Sequence, residues 1–256
     1  MELNRDYESA AIYKWRKKRK KAFVLFICIV GICFLVTRMV RVEDKTTVKV
    51  HNMHMEQNEK AIRYVASNMI KEDPKIAITF DDGPSPAWTP QLLDGLKERN
   101  VKATFFLIGE NAKNNPELVK REAEEGHLLG NHTYHHVEIT RVPDETAQEE
   151  ILMTNEVITG ITGEEVSYMR PPFGVWQKNL ERKLDVMPVL WTIDPLDWTT
   201  DNEDEIINKV VTQAGEDDII LLHDCYESSV NAALRIVDIL QKEGFEFVTV
   251  DELIMN

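Results

Sequence analysis

Residues 75–85 read Lys75-Ile76-Ala77-Ile78-Thr79-Phe80-Asp81-Asp82-Gly83-Pro84-Ser85. Ile76 to Phe80 form an apolar, β-favouring run, which predicts a buried strand. Asp81 and Asp82 end it, and Gly83-Pro84 breaks the backbone. Two adjacent carboxylates at the mouth of a buried strand repel each other and lose water, so they call for a positive group beside them. A divalent metal answers that need. A solvated Asp-Asp-Gly-Pro turn is the other reading of the same residues.

Outward from this strand the pattern repeats. Strands are expected over 75–80, 103–107, 127–130, 167–169, 187–192, 218–222 and 245–249. Helices are expected over 88–99, 116–125, 145–160, 176–184, 203–214 and 228–243, with a short last one from Asp251. Gly126 and Gly244 stand where helices should stop. Alternating strands and helices imply an α/β domain with a mainly parallel sheet, either open or closed into a barrel. In both arrangements ligand sites gather at the carboxyl ends of the strands.

Five polar clusters stand just past those ends. They are Asp81-Asp82, then Asn131 to His136, then Arg170 to Gly174, then Asp194, Asp197 and Trp198, and finally His223-Asp224. His132 and His136 are four apart, so on a helical turn both imidazoles face one way. With one carboxylate they make a two-His, one-acid metal site that leaves positions open. His135 in place of His136 is the alternative.

The segments TFDDGPS, GNHTYHH, RPPFG, DPLDW and LLHD, in this order, closely resemble the five motifs of the polysaccharide deacetylases, the NodB-homology domain of the fourth carbohydrate esterase family. The resemblance covers about residues 75–250. It implies a distorted (β/α) barrel of about seven strands. It also implies a divalent metal, zinc first with cobalt or nickel as alternatives, and removal of acetyl groups from amino sugars or acetylated xylan. Asp82, His132 and His136 would be the metal ligands, and Asp81 the general base. Arg170 would pair with Asp81 and keep it ionised, since an adjacent cation lowers a carboxylate pKa. Asp197 would hold His223, the general acid, and raise its pKa. The Phe173 backbone N–H would serve an oxyanion hole, and Leu221 and Trp198 would shape the slot for the acetyl methyl. Two positions depart from the family pattern. Val137 stands where proline is usual, and Phe173 where tyrosine is frequent.

Other residues in these clusters have plainer readings. Tyr134 and Asp224 lie where they would touch substrate. Asp194 reads as a turn residue, Trp176 and Trp191 as packing, and His127 as a satisfied core residue. Cys225 reads as a bystander thiol. Arg170 as a purely structural ion-pair partner is the bland alternative to its catalytic reading.

Composition bounds the rest. The formal net charge is −14 over 256 residues, yet residues 1–21 carry eight Lys/Arg against three Asp/Glu. The remainder holds 22 basic against 41 acidic residues, a net of −19, which argues against a nucleic-acid partner. Cys28 and Cys33 lie in an apolar run, so no disulfide framework is available to the body. Lys14 to Lys21 reads KWRKKRKK, and Ala22 to Thr37 follows without a charge. That order predicts a cytoplasmic basic segment over 1–21 and a single transmembrane anchor over 22–40. A cleaved signal peptide is disfavoured by Thr37-Arg38-Met39-Val40-Arg41, which offers no small-residue cleavage pattern. A stalk is expected over 41–73 and the catalytic body over 74–256, monomeric and outside a bacterial plasma membrane. From that position, N-acetylated peptidoglycan is the first substrate expectation, chitooligosaccharide the second and O-acetyl xylan the third. The rivals are a non-catalytic glycan-binding module and an amidase cleaving a wall peptide.

Overall fold

A computed structural model describes residues 73–255, apart from 178, 179 and 181–183, together with Glu59. The segments expected over 1–21, 22–40 and most of 41–73 lie outside the described residues, as does most of the helix expected over 176–184. Among the described residues no helix is long and apolar enough to cross a membrane.

The body is an all-parallel sheet covered by helices. In chain order it runs β1 (Lys75–Asp81), α1 (Thr89–Glu98), β2 (Thr104–Leu107), α2 (Gly109–Asn114), α3 (Pro116–Glu124), β3 (Leu128–Asn131) and α4 (Asp144–Thr162). It continues with β4 (Tyr168–Met169), β5 (Met187–Pro188), α5 (Glu203–Val211), β6 (Ile219–His223), α6 (Glu227–Lys242), β7 (Glu246–Phe247) and α7 (Val250–Met255). The strand order is β5-β4-β3-β2-β1-β6, and β7 pairs with Lys75 and Ile76 at the start of β1. The sheet curls, and beyond β5 the chain meets the opposite edge, where Ile193 bridges Ile220 of β6. The result is a distorted, half-open barrel.

Local chemistry explains the elements. β1 is flanked by β2 and β6 and paired with β7 at its start, so every residue after Lys75 is buried, and its apolar residues run without alternation. α6 turns Val230, Ala233, Ile236, Val237 and Leu240 to the sheet at helical spacing. It starts at Glu227, with Ser229 buried inside the first turn. α4 ends at Gly163, whose φ of 78° suits a left-handed cap.

Four strands, β2, β4, β5 and β7, are shorter than their apolar runs suggest. The strand expected over 187–192 ends at Pro188, because the chain leaves β4 there to reach β6; Thr192 and Ile193 donate to Ile219 O at 2.9 and 3.1 Å. The interior is not wholly apolar. Among the described residues Arg170 is the largest fully buried side chain, lying 4.3 Å from the centre of the Phe106 ring.

Candidate active site

Register brings the strand ends together. Asp81 stands opposite Phe106 of β2 and His223 of β6, while Asn131 stands opposite Leu107 and Met169. Four of the five polar clusters therefore leave the sheet at one rim, and the fifth, Asp194 to Trp198, follows Ile193, which bridges Ile220 of β6.

Asp82 is the first residue past β1 and has φ 74°. Its carbonyl accepts from Asn111 Nδ2 at 2.8 Å. Gly83 follows because a Cβ there would collide with the Asp224 carboxylate. The turn points the Asp82 carboxylate at two imidazoles. His132 Nε2 and His136 Nε2 each lie 3.4 Å from Asp82 Oδ1. His132 Nδ1 donates to the Arg170 carbonyl at 2.6 Å, which leaves its Nε2 lone pair directed at Asp82. Burial lowers the His132 pKa to about 3, so the ring is neutral and ready to act as a ligand at physiological pH.

These three residues fit a divalent cation. Their ligand atoms all lie within 4.8 Å of one another. Asp82 Oδ1 is buried with no hydrogen-bond partner among the described residues, and a buried carboxylate oxygen is costly in that state. A tetrahedral ion with bonds of ~2.0–2.1 Å needs ligand atoms roughly 3.4 Å apart, close to the two separations measured. His135 points elsewhere; its Nδ1 lies 2.8 Å from Glu150 Oε1.

Asp81 faces the same cleft. Arg170 Nη1 donates to Asp81 Oδ1 at 2.8 Å and to Thr79 Oγ1 at 2.6 Å. Arg170 lowers the Asp81 pKa, as an adjacent cation should. Burial is the larger influence and holds the carboxyl above its ordinary value, with Arg170 opposing it. Asp197 Oδ1 accepts from His223 Nδ1 at 2.8 Å, and its Oδ2 accepts the His223 backbone N–H at 2.9 Å. Burial lowers the His223 pKa, but Asp197, Asp81 and Asp82 together outweigh it and push it up to about 9.

A cleft of about 450 Å³ opens over these groups. Phe173, Trp198 and Leu221 line it. Phe173 has φ 62° and is 63% exposed, with its ring 5.0 Å from that of His136. Tyr134 does not line the cleft: it is 7% exposed, and its backbone N–H is held by Glu150 Oε2 at 3.0 Å. Asp224 is also buried; the Thr89 hydroxyl donates to it, and burial pushes its pKa up to about 7. Cys225 is a poor nucleophile, since burial pushes its thiol to about 12. His127 is a core residue whose Nδ1 accepts from Ala103 N at 3.0 Å.

Sequence reasoning missed part of the lining. Pro171, Leu196 and Tyr226 line the cleft, and so do Trp191 and Asp194, which read as packing and turn residues. Asp194 does hold a turn, accepting the Leu196 N–H at 2.8 Å. Pro171, Asp194 and Leu196 stand inside the quoted motifs, and Trp191 and Tyr226 within three residues of one, so their position is the available signal.

The profile of the polysaccharide deacetylase family matches residues 68–189. A peptidoglycan-N-acetylglucosamine deacetylase of Listeria monocytogenes is 39% identical over 183 residues, which cover 72% of this chain and 39% of that protein. The chain thus spans well under half the length of that relative. A peptidoglycan-N-acetylglucosamine deacetylase of Bacillus cereus is 38% identical, with 70% of this chain and 68% of that protein covered. The structure of the peptidoglycan deacetylase PdaC from Bacillus subtilis superposes with a TM-score of 0.70 at 38% identity, covering 72% of this chain and 91% of the other.

Proposed function

Because this chain belongs to the polysaccharide deacetylase family, we infer that it is a metal-dependent hydrolase that removes N-acetyl groups from amino sugars of cell-wall peptidoglycan. The relatives' activities on peptidoglycan support the substrate class. One observation carries the chemistry: an unpaired, buried Asp82 oxygen stands 3.4 Å from two imidazole nitrogens, beside Asp81 and His223 in register.

In this reading Asp82, His132 and His136 hold the ion. A divalent cation held by these three residues would supply Lewis acidity toward the acetamide carbonyl and the attacking water. Asp81 takes the proton of the attacking water, and its raised pKa makes it a stronger base than an ordinary carboxylate. Arg170 fixes the orientation of Asp81. His223, protonated below about pH 9, gives its proton to the sugar nitrogen as the C–N bond breaks, leaving acetate and a free amine. Asp197 holds the ring for that transfer. Leu221 and Trp198 offer apolar walls to the acetyl methyl, and the Phe173 backbone N–H serves the developing oxyanion.

The basic segment 1–21 and the apolar run after it support an anchor over 22–40, with the body outside the cell beside its substrate. Protease added to protoplasts would then digest the body; survival of an intact body would sink that topology. The activity test is acetate release from N-acetylated peptidoglycan by the zinc-loaded protein and by Asp81→Asn. Equal release by both would remove Asp81 from the reaction, and a freed peptide carboxylate without acetate would identify an amidase instead.

A further inference from the structure

The loop that carries both imidazoles is held by a residue outside every motif. Glu150 lies in the first half of α4, 7% exposed, with its carboxylate turned into the loop. Its Oε2 accepts the backbone N–H groups of Tyr134 and His135 at 3.0 and 2.8 Å, and its Oε1 lies 2.8 Å from His135 Nδ1. Those two amides sit between His132 and His136.

This loop needs an external frame. Thr133 and His136 both lie in the left-handed region, with φ of 60° and 56°. Such conformations cost of order 1–3 kcal/mol each without glycine and persist only where surrounding contacts over-determine them. The carbonyls of Thr133 and Tyr134 accept from Gly109 N and Glu110 N of α2 at 2.9 and 3.0 Å. Glu150 takes the amides that α2 leaves, so the peptide planes are fixed from both sides. Asn131 Oδ1 adds a bond from Thr133 N at 2.7 Å.

We propose that Glu150 is a positioning residue for the metal centre: it supplies the acceptor that sets the 134–135 backbone, and thereby aims His132 and His136 at Asp82. This rests on the reading of Asp82, His132 and His136 as ligands. What the loop requires is an oxygen in the right place rather than a negative charge. Glutamine meets that requirement, since its Oε1 can accept both amides and its Nε2 can donate to His135 Nδ1 in the other tautomer. Aspartate keeps the charge but withdraws the oxygens by one methylene. Leucine offers no acceptor and leaves two amides unpaired.

The test is zinc affinity of the purified full chain, stripped of metal and titrated against a competing chelator, with thermal unfolding of the metal-free protein alongside. Glu150→Gln is expected to bind within about threefold of the parent. Glu150→Leu and Glu150→Asp are expected to bind about 10- to 100-fold more weakly, the usual effect of removing a residue that orients ligands. His135→Ala keeps both amides paired and is expected to match the parent. Should Glu150→Leu not fold, Glu150→Asp against Glu150→Gln decides the matter. Parent-like affinity in a folded Glu150→Asp, or a Glu150→Gln as weak as aspartate, would overturn the proposal alone. Failure of the parent itself to bind zinc would overturn the ligand assignment, and this inference with it.

Discussion

Arg170 reaches through the curled sheet from the end of β4 and bonds Asp81 at the end of β1, Nη1 to Oδ1 at 2.8 Å, with side-chain exposures of 0% and 4%. The same guanidinium donates to Thr79 Oγ1 and to the Val189 carbonyl and rests on Phe106. A charge placed so deep is tolerated only because its partner is beside it. The pair therefore serves fold and chemistry together, so the structural and catalytic readings of Arg170 need not exclude each other.

Removing one partner strands the other. Arg170→Met is expected to cost about 3–5 kcal/mol in urea unfolding, because an uncompensated carboxyl remains buried. Arg170 is also the largest influence lowering the Asp81 pKa against the effect of burial. Its loss should therefore shift the acid limb of kcat/KM to higher pH, since the base must be deprotonated to act. Addition of Asp81→Asn should recover much of the stability and none of the activity. An acid limb that does not move in Arg170→Met would argue against Asp81 as the base.

The His223 pKa of about 9 carries its own sign. A histidine raised above its ordinary 6.5 adds stability that is complete below pH 6.5 and is lost as pH rises through about 9. Burial alone would lower the value, and the Asp197 hydrogen bond is the largest opposing influence. Asp197→Asn should therefore bring the His223 titration down from about 9, read by NMR of the ring in metal-free protein. The alkaline limb of activity should fall with it. His223→Ala is expected to lose ~10²–10⁴ in rate. An unchanged titration in Asp197→Asn would remove Asp197 as the tuning group.

Metal should act as a stabilising ligand. Zinc at a hundred times its dissociation constant is expected to add about 2.7 kcal/mol, seen as a rise in melting temperature that a chelator reverses. Asp82→Ala removes the oxygen both imidazoles face and should abolish that rise. His132 is neutral above about pH 3, so its loading with metal should release no proton at neutral pH. A full zinc-dependent rise in Asp82→Ala would place the ion elsewhere.

The parts legible in the sequence were those written locally. Apolar runs without alternation announced parallel strands, and the polar residues that ended them announced the rim. Boundaries were less legible: Val189, Leu190 and Trp191 favour a strand, but only the route of the chain to β6 ends β5 at Pro188. Helix α2 (Gly109–Asn114) offers no apolar stripe and was not foreseen. In the site, a spacing of four residues brought His132 and His136 forward, and the adjacent carboxylates brought Asp82. Glu150 stayed hidden because a glutamate in an amphipathic helix ordinarily reads as a solvated face. Tyr134, expected to touch substrate, is 7% exposed and does not line the cleft, and no residue-type signal marks the left-handed φ of its neighbour Thr133.

Glu122 makes the last prediction. It stands on the buried face of α3 with Val119, fully enclosed, and neither carboxyl oxygen has a hydrogen-bond partner among the described residues. Burial, followed by the charge of Asp224, holds its pKa well above the usual 4.5. The folded state therefore keeps a proton that the unfolded chain releases. The stability this contributes is complete below pH 4.5 and is lost as pH rises from there through the folded-state pKa. While the folded form stays protonated, the loss is about 1.4 kcal/mol per pH unit. Glu122→Met fills similar space without a titrating group. It should unfold at higher urea than the parent at pH 8, by about 1–3 kcal/mol, and the advantage should shrink at pH 5. Equal stability of the two proteins across that range would show that the Glu122 carboxyl finds water or a partner in solution.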